Sequence, residues 1–286
     1  RLRVERDEPI AAIGGGALGD AAGFLAATYL RGIPIIHVPT TLVAQIDSSI
    51  GGKTAVDLPE GKNLVGAFHQ PAAIVIDASV TRSLPERQRR AALGEAVKMA
   101  ALGDERLFEL LERDGAAIAR GEAAAYDRGV VAELVERSAW AKVEVVVADE
   151  KERTSSGTGR ISLNLGHSLG HAVEAAAGYG GLLHGEAVAY GLRAAARIGV
   201  AMDVTPPERA ERIGALLDAL DLACDPLPYA LDTVLDHLQA DKKHTGGRLR
   251  WVLPTATGVE IHADVPDPLV REAAASLLAA GTEATR

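Results

Sequence analysis

The sequence holds one cysteine, Cys224, so it can form no internal disulfide. Its start lacks the charged, apolar and small-residue layout of a secretory leader. No apolar run approaches the roughly 20 residues of a membrane-spanning helix, because Arg, Glu or Asp interrupt the alanine-rich stretches. These absences predict a soluble, cytoplasmic protein with no membrane partner. Net positive charge is also missing: a formal charge of −9 and a pI near 5.4 argue against a nucleic-acid backbone binder. A small anionic substrate stays possible, since a local Lys/Arg cluster can set the potential of one cleft. There is no internal repeat and no initiator Met.

What is present is enough apolar residue for a sizeable core: 48% of 286 residues. The pattern changes once along the chain. Residues 1–85 alternate short β-rich runs (10–13, 33–38, 73–77) with a helix candidate at 20–30, which predicts parallel strands with crossover helices. Residues 86–286 read as mostly helical, with helix candidates at 86–101, 104–113, 116–147, 169–178, 186–202, 207–219 and 227–239. A strand pair is expected at 249–253 and 258–262. The predicted architecture is therefore an α/β part carrying an incomplete dinucleotide-type parallel sheet, followed by a mostly α-helical part.

Four clusters carry chemistry. Gly14, Gly16 and Gly19 fit the G-x-G-x-x-G spacing between a strand and a helix, where backbone N–H groups can approach a pyrophosphate. A tight turn without a ligand would show the same spacing. Next, Thr40, Thr41, Asp47, Gly52-Lys53-Thr54 and Gly61-Lys62-Asn63 gather hydroxyls, lysines, an amide and a carboxylate suited to a polyhydroxylated anion. This stretch is not a nucleotide P-loop, because Asp47 stands where that motif needs its first glycine. The third cluster has metal-ligand character: His167 and His171 lie one helical turn apart, His184 opens another helix, and Glu95 precedes Lys98 by three on a helix face. The fourth is basic, with Lys142, Arg160, Lys242, Lys243, Arg248 and Arg250 forming either a solvated face or an anion clamp; for Lys243 and Arg248 the solvated face is preferred.

Taken in order, the segments from Gly14-Gly15-Gly16 with Asp20, through Thr28 to Gly32, Pro39-Thr40-Thr41 to Pro71, Glu95-x-x-Lys98, Asn164 to His171, and Leu183-His184-Gly185-Glu186, resemble the 3-dehydroquinate synthase family. The likeness runs from about residue 10 to 259. It implies an NAD-binding α/β domain at 1–85, a metal- and substrate-binding helical domain at 86–286, and an active site between them. It also implies that the family's N-terminal portion is missing here.

Carried over residue by residue, the resemblance implies Glu95, His167 and His184 as ligands of one divalent ion, zinc or cobalt, and His171 as a proton-transfer group. Lys98, Lys142, Arg160 and Asn164 would act on the substrate, with Asp47, Lys53, Asn63 and Lys242 also lining its pocket. Arg31 would reach a neighbouring subunit's site in a homodimer. Gly15, Gly16, Asp20, Thr40, Thr41, Lys62, Ser83 and Leu84 would hold NAD. The implied reaction converts 3-deoxy-D-arabino-heptulosonate 7-phosphate to 3-dehydroquinate and phosphate, with transient oxidation by NAD, β-elimination and aldol closure. Removal of Lys98 or Arg160 is expected to leave the fold intact while weakening transition-state binding. Residues 151–159 read as a flexible insertion. Alternatives at this stage are a secondary-metabolic cyclase, a metal-dependent polyol dehydrogenase, and an inactive truncated homologue.

Overall fold

The computed structural model describes residues 4–58, 61–150, 159–178, 180–244 and 249–279, the side chains of 61–63 and 241–244 excepted. A parallel sheet of order β1-β2-β5 is built from β1 (Ile10–Gly14), β2 (Ile35–Pro39) and the short β5 (Ala73–Ile74). Helix α1 (Gly16–Thr28) connects β1 to β2. It starts directly on the glycine turn, with Gly15 as N-cap and no side chain capping its first N–H groups, which leaves those donors for a ligand. After α1 the chain passes through three consecutive positive-φ residues, Leu30 (47°), Arg31 (68°) and Gly32 (119°).

The later part of the stretch read as a polar binding segment folds as an antiparallel hairpin, β3 (Lys53–Leu58) with β4 (Gly61–Phe68). Its alternation is concealed in the sequence because neither face is consistently apolar; Leu64, Val65 and Phe68 are exposed. The hairpin lies on α1, where a Cβ on Gly23 would fall 2.3 Å from Thr54 Cγ2.

Helices fill the rest. Helix α2 (Glu86–Ala101) matches its expected span. The expected helix over 116–147 is three segments: the end of α3 (Glu105–Arg120), the short α4 (Ala123–Asp127) and α5 (Val130–Ala148). Two glycines cause the breaks, since Gly121 (φ 72°) and Gly129 (φ 74°) both adopt the left-handed conformation that ends or offsets a helix. Asp104 caps α3 by accepting the Leu107 N–H at 2.9 Å. Then follow α6 (His167–Ala176), α7 (His184–Ala201), α8 (Pro207–Ala219), α9 (Leu231–His244), the antiparallel pair β6 (Trp251–Pro254) and β7 (Val259–His262), and α10 (Asp267–Ala275).

Two apolar clusters result. A small one joins Ala12, Ala26, Ile33 and Ile35 beneath the sheet. The large one is centred on α2, α3, α6 and α7 and also takes in Leu42 and Ile46. Leu42 precedes a five-residue π-turn, Ala44–Ser48, and Ile46 lies within it, so the segment after β2 is anchored in the helical core. Gln45, fully buried, fastens the same turn to the sheet by donating from Nε2 to the carbonyls of Pro39 (3.0 Å) and Asp77 (2.8 Å).

Candidate active site

Glycines set the distances between the helices that carry the metal-type residues. A Cβ on Gly94 would lie 2.1 Å from the Gly185 carbonyl oxygen, one on Gly185 1.8 Å from that of Ala91, and one on Gly191 1.7 Å from that of Gly166. No side chain fits at these crossings. Backbone-to-backbone contact of α2 with α7, and of α7 with the start of α6, follows. Each glycine pair borders a functional residue: Gly94 precedes Glu95, Gly166 precedes His167, and Gly185 follows His184.

The imidazoles of His167, His171 and His184 consequently form one cluster, with one ring nitrogen of each within 4.8 Å of the others. Glu95, 0% exposed, faces them: its Oε1 is 3.0 Å from His184 Nε2 and 3.6 Å from His167 Nε2. The other ring nitrogens are committed to oxygens. His167 Nδ1 lies 3.1 Å from the Leu165 carbonyl and His184 Nδ1 3.2 Å from Glu174 Oε2. Both partners can only accept, so each Nδ1 carries its hydrogen; a cation would find a lone pair on each Nε2, and without one the charged His184 points its Nε2 hydrogen at Glu95 Oε1. His167 Nε2, His184 Nε2 and Glu95 Oε1 converge on one point and are a donor set that fits a divalent cation. Without one, the titration reflects the crowding. Burial drives His167 down to about 3. Burial also opposes a charged His184, but the carboxylates of Glu174 and Glu95 outweigh it and push that ring up to about 10.

From Glu95 a ladder of alternating charge runs inward. Lys98 Nζ is 2.5 Å from Glu95 Oε2 and 3.6 Å from Asp47 Oδ1, and Lys142 Nζ is 2.8 Å from the same Asp47 oxygen and from the Asp47 carbonyl. Burial opposes the Lys98 ammonium, yet the two carboxylates hold its pKa above the ordinary lysine range. Burial wins at Lys142, which is lowered. Burial likewise opposes charge on Glu95 and Asp47, but the lysines keep both below the usual carboxylate range. Arg160, also buried, donates to the carbonyls of Gly51 (2.8 Å) and Glu150 (2.9 Å). Asn164 ends the short 3-10 turn Arg160–Asn164, three residues before His167.

The glycine turn forms a second, adjoining cleft, lined by Gly14, Gly15, Gly16, Gly19, His37 and Ser48 among others. Thr40 N–H donates to the Gly14 carbonyl at 2.9 Å, and Thr41 Cγ2 would meet a Cβ on Gly15 at 3.0 Å. A Cβ would thus fill the cradle over this turn, which fits close approach by a phosphate group. Asp20 sits on the same helix within the field of Lys142 and Asp57, and burial raises it to about 6.

Of the other sequence-based expectations, Lys53 begins β3 and is exposed. Ser83 donates to the Val80 carbonyl and the Leu84 carbonyl accepts from the buried Arg89. Arg31 is exposed. Lys62, Asn63 and Lys242 belong to positions whose side chains lie outside the described residues, as does Lys243; Arg248 and, of the insertion expected at 151–159, all but Gly159 lie outside them altogether. Sequence reasoning missed Glu174, whose only signal was its position on the same helix as His167 and His171. It also missed Arg87, which grips Glu186 in a bidentate pair (2.7 and 2.8 Å) while Glu186 accepts the Leu183 N–H beside His184.

Comparison with solved structures defines the class as that of the sugar-phosphate cyclases. A 2-epi-5-epi-valiolone synthase from Streptomyces hygroscopicus subsp. jinggangensis 5008, solved with NAD+ and Zn2+ bound, superposes with a TM-score of 0.84 at 29% identity, over 94% of this chain and 73% of that one. A 2-deoxy-scyllo-inosose synthase complexed with carbaglucose-6-phosphate, NAD+ and Co2+ gives 0.79 at 29% identity, over 96% and 74%.

Within that class the chain belongs to the 3-dehydroquinate synthase family. Its residues 1–91 match the family's N-terminal profile and residues 92–244 the C-terminal one. It is 47% identical to the 3-dehydroquinate synthase of Synechococcus sp. (strain CC9605), over 92% of this chain and 69% of that protein.

Proposed function

We propose that this chain is an NAD- and divalent-metal-dependent carbon–oxygen lyase that converts 3-deoxy-D-arabino-heptulosonate 7-phosphate to 3-dehydroquinate and phosphate. The observation that carries the reading is the convergence of His167 Nε2 and His184 Nε2 on Glu95 Oε1, at the head of the Lys98–Asp47–Lys142 ladder. Identity of 47% to a 3-dehydroquinate synthase against 29% to the two other cyclases favours the primary-pathway substrate over an amino or valiolone-type analogue.

Residues 1–85 serve NAD in this reading and residues 86–286 the metal and substrate. Glu95, His167 and His184 hold the ion, zinc or cobalt; Gly15, Gly16, Asp20, Thr40, Thr41, Lys62, Ser83 and Leu84 hold the dinucleotide. When bound, the ion supplies Lewis acidity toward a substrate hydroxyl and NAD a reversible hydride acceptor. The chain's own side chains do the rest. Lys142 and Arg160, with Lys53 and Lys242, supply the positive charge that a phosphate monoester plus a carboxylate requires. Asp47 keeps Lys98 and Lys142 oriented until an anionic substrate competes for them. Asn164 offers an amide to the sugar hydroxyls beside the metal ligands. His171, exposed and with its ring centroid 5.1 Å from that of His167, moves a proton at the substrate. Arg31, on its left-handed turn, reaches the neighbouring site of a homodimer, and the protein works in the cytoplasm.

Incubation with the heptulosonate phosphate, NAD and zinc tests the reading. Equimolar release of phosphate and 3-dehydroquinate is expected, without net NADH. NADH accumulation on simple polyols with no phosphate release would contradict it.

A further inference from the structure

The π-turn Ala44–Ser48 after β2 presents a hydroxyl whose use the fold does not explain. Ser48 Oγ is buried, and it has no hydrogen-bond partner among the described residues. Other polar groups about the turn make hydrogen bonds, although Gln45 Oε1 also lacks a partner among the described residues. Ser49 donates its hydroxyl to the Ala44 carbonyl at 2.6 Å, Thr41 Oγ1 accepts the Ala44 N–H at 3.4 Å, and Gln45 spends both Nε2 hydrogens on Pro39 and Asp77. A π-turn is a rare local arrangement, commonly retained where it aims a side chain. The side chain aimed here is Ser48, toward the glycine turn: a Cβ built on Gly16 would fall 2.7 Å from Ser48 Oγ, and both residues line the same cleft.

A buried hydroxyl left unpaired costs free energy comparable to a lost hydrogen bond, so its retention facing a cleft indicates a partner that arrives with a ligand. The surroundings fix the ligand's chemistry. The cleft has the uncapped N-terminus of α1 as one wall, whose N–H groups and dipole favour an anion. A serine beside such donors completes the set by donating its own hydrogen to an anionic oxygen.

We propose that Ser48 is a binding residue for the dinucleotide's pyrophosphate, its Oγ–H donating to a phosphate oxygen held over Gly15 and Gly16. This rests on the NAD-binding reading above, which does not include Ser48. The contact also gives the absence of a side chain at Gly16 a second purpose, since a Cβ there would crowd the hydroxyl at 2.7 Å.

The test is equilibrium binding of NAD and of ADP-ribose, which keeps the pyrophosphate but lacks nicotinamide, to the zinc-loaded protein and its Ser48→Ala and Ser49→Ala variants. Ser48→Ala should weaken both ligands by a similar factor, about tenfold to fiftyfold, the size of losing one hydrogen bond to a charged oxygen. Its thermal midpoint should be unchanged or raised, because an unsatisfied buried group is removed. Ser49→Ala should lower the midpoint and leave affinity within about twofold, since its hydroxyl only closes the turn. Unchanged NAD affinity in Ser48→Ala, or a loss seen for NAD but not ADP-ribose, overturns the assignment while leaving the cofactor reading intact. Failure of the parent protein to bind either ligand overturns the cofactor reading and this inference with it.

Discussion

At the residue scale, the surroundings of Lys98 change what its removal should do. Sequence alone presents it as a substrate cation whose loss spares the fold. In the structure it is 1% exposed and stands between two carboxylates, the buried Glu95 and the half-buried Asp47. Replacing it leaves like charges facing each other out of water, a situation that typically costs about 3–5 kcal/mol. Lys98→Met should therefore lower the thermal midpoint of the metal-free protein markedly, and added zinc should recover part of the loss by neutralising Glu95. Calorimetry with and without zinc checks this; a metal-free midpoint equal to the parent's would show that Lys98 has no such structural role. The functional residue types and most positions were legible in the sequence at this scale, because carboxylates, imidazoles and lysines declare their chemistry. Glu174 was not, since a lone carboxylate on a helix reads as a solvated charge until His184 Nδ1 is found 3.2 Å away.

At the scale of elements, the metal-type residues meet because three helices approach with nothing but glycine between their backbones. Gly191→Ala would drive a methyl group into the Gly166 carbonyl, nominally 1.7 Å away. It should separate α6 from α7, destabilise the protein by about 3 kcal/mol or more, and weaken zinc retention in a chelator competition. Gly214→Ala is the control: it lies within α8, and its nearest contact would be Arg193 Nη1 at an ordinary 3.6 Å. That variant should gain about 0.5–1 kcal/mol from helix propensity and keep its zinc. Equal zinc retention in both variants would mean the glycine crossings do not set the site. Adjacency of a glycine to each of Glu95, His167 and His184 is visible in the sequence, but which backbone each glycine faces is not, because that depends on contacts between distant segments. The same limit explains the hairpin. Residues 53–68 carry no clean alternation, so pairing of Lys53 with Phe68 emerges only from packing on α1. The helix break at Gly121 and Gly129, by contrast, was available from two glycines eight residues apart and was overridden by the helix formers around them.

At the scale of the molecule, an acidic chain concentrates cations where they are enclosed. Lys98, Lys142 and Arg160 are all buried and lie beside or between carboxylates and carbonyls that hold them in place, so the local potential departs from the net charge of −9. The change from α/β to helical composition near residue 85 was readable from propensity. The joint between the two parts was not, because Leu42 and Ile46 come from the first and pack in the core of the second. That joint brings Asp47 against Lys98 and Lys142, while the next residue, Ser48, lines the glycine cleft. The account depends on one cation sitting at that junction, and anomalous scattering from zinc-grown crystals locates it most directly. A single peak is predicted, within about 2.3 Å of a Glu95 carboxylate oxygen and of Nε2 of both His167 and His184. A peak bound by His171 in place of Glu95, or none in a folded protein, would contradict it.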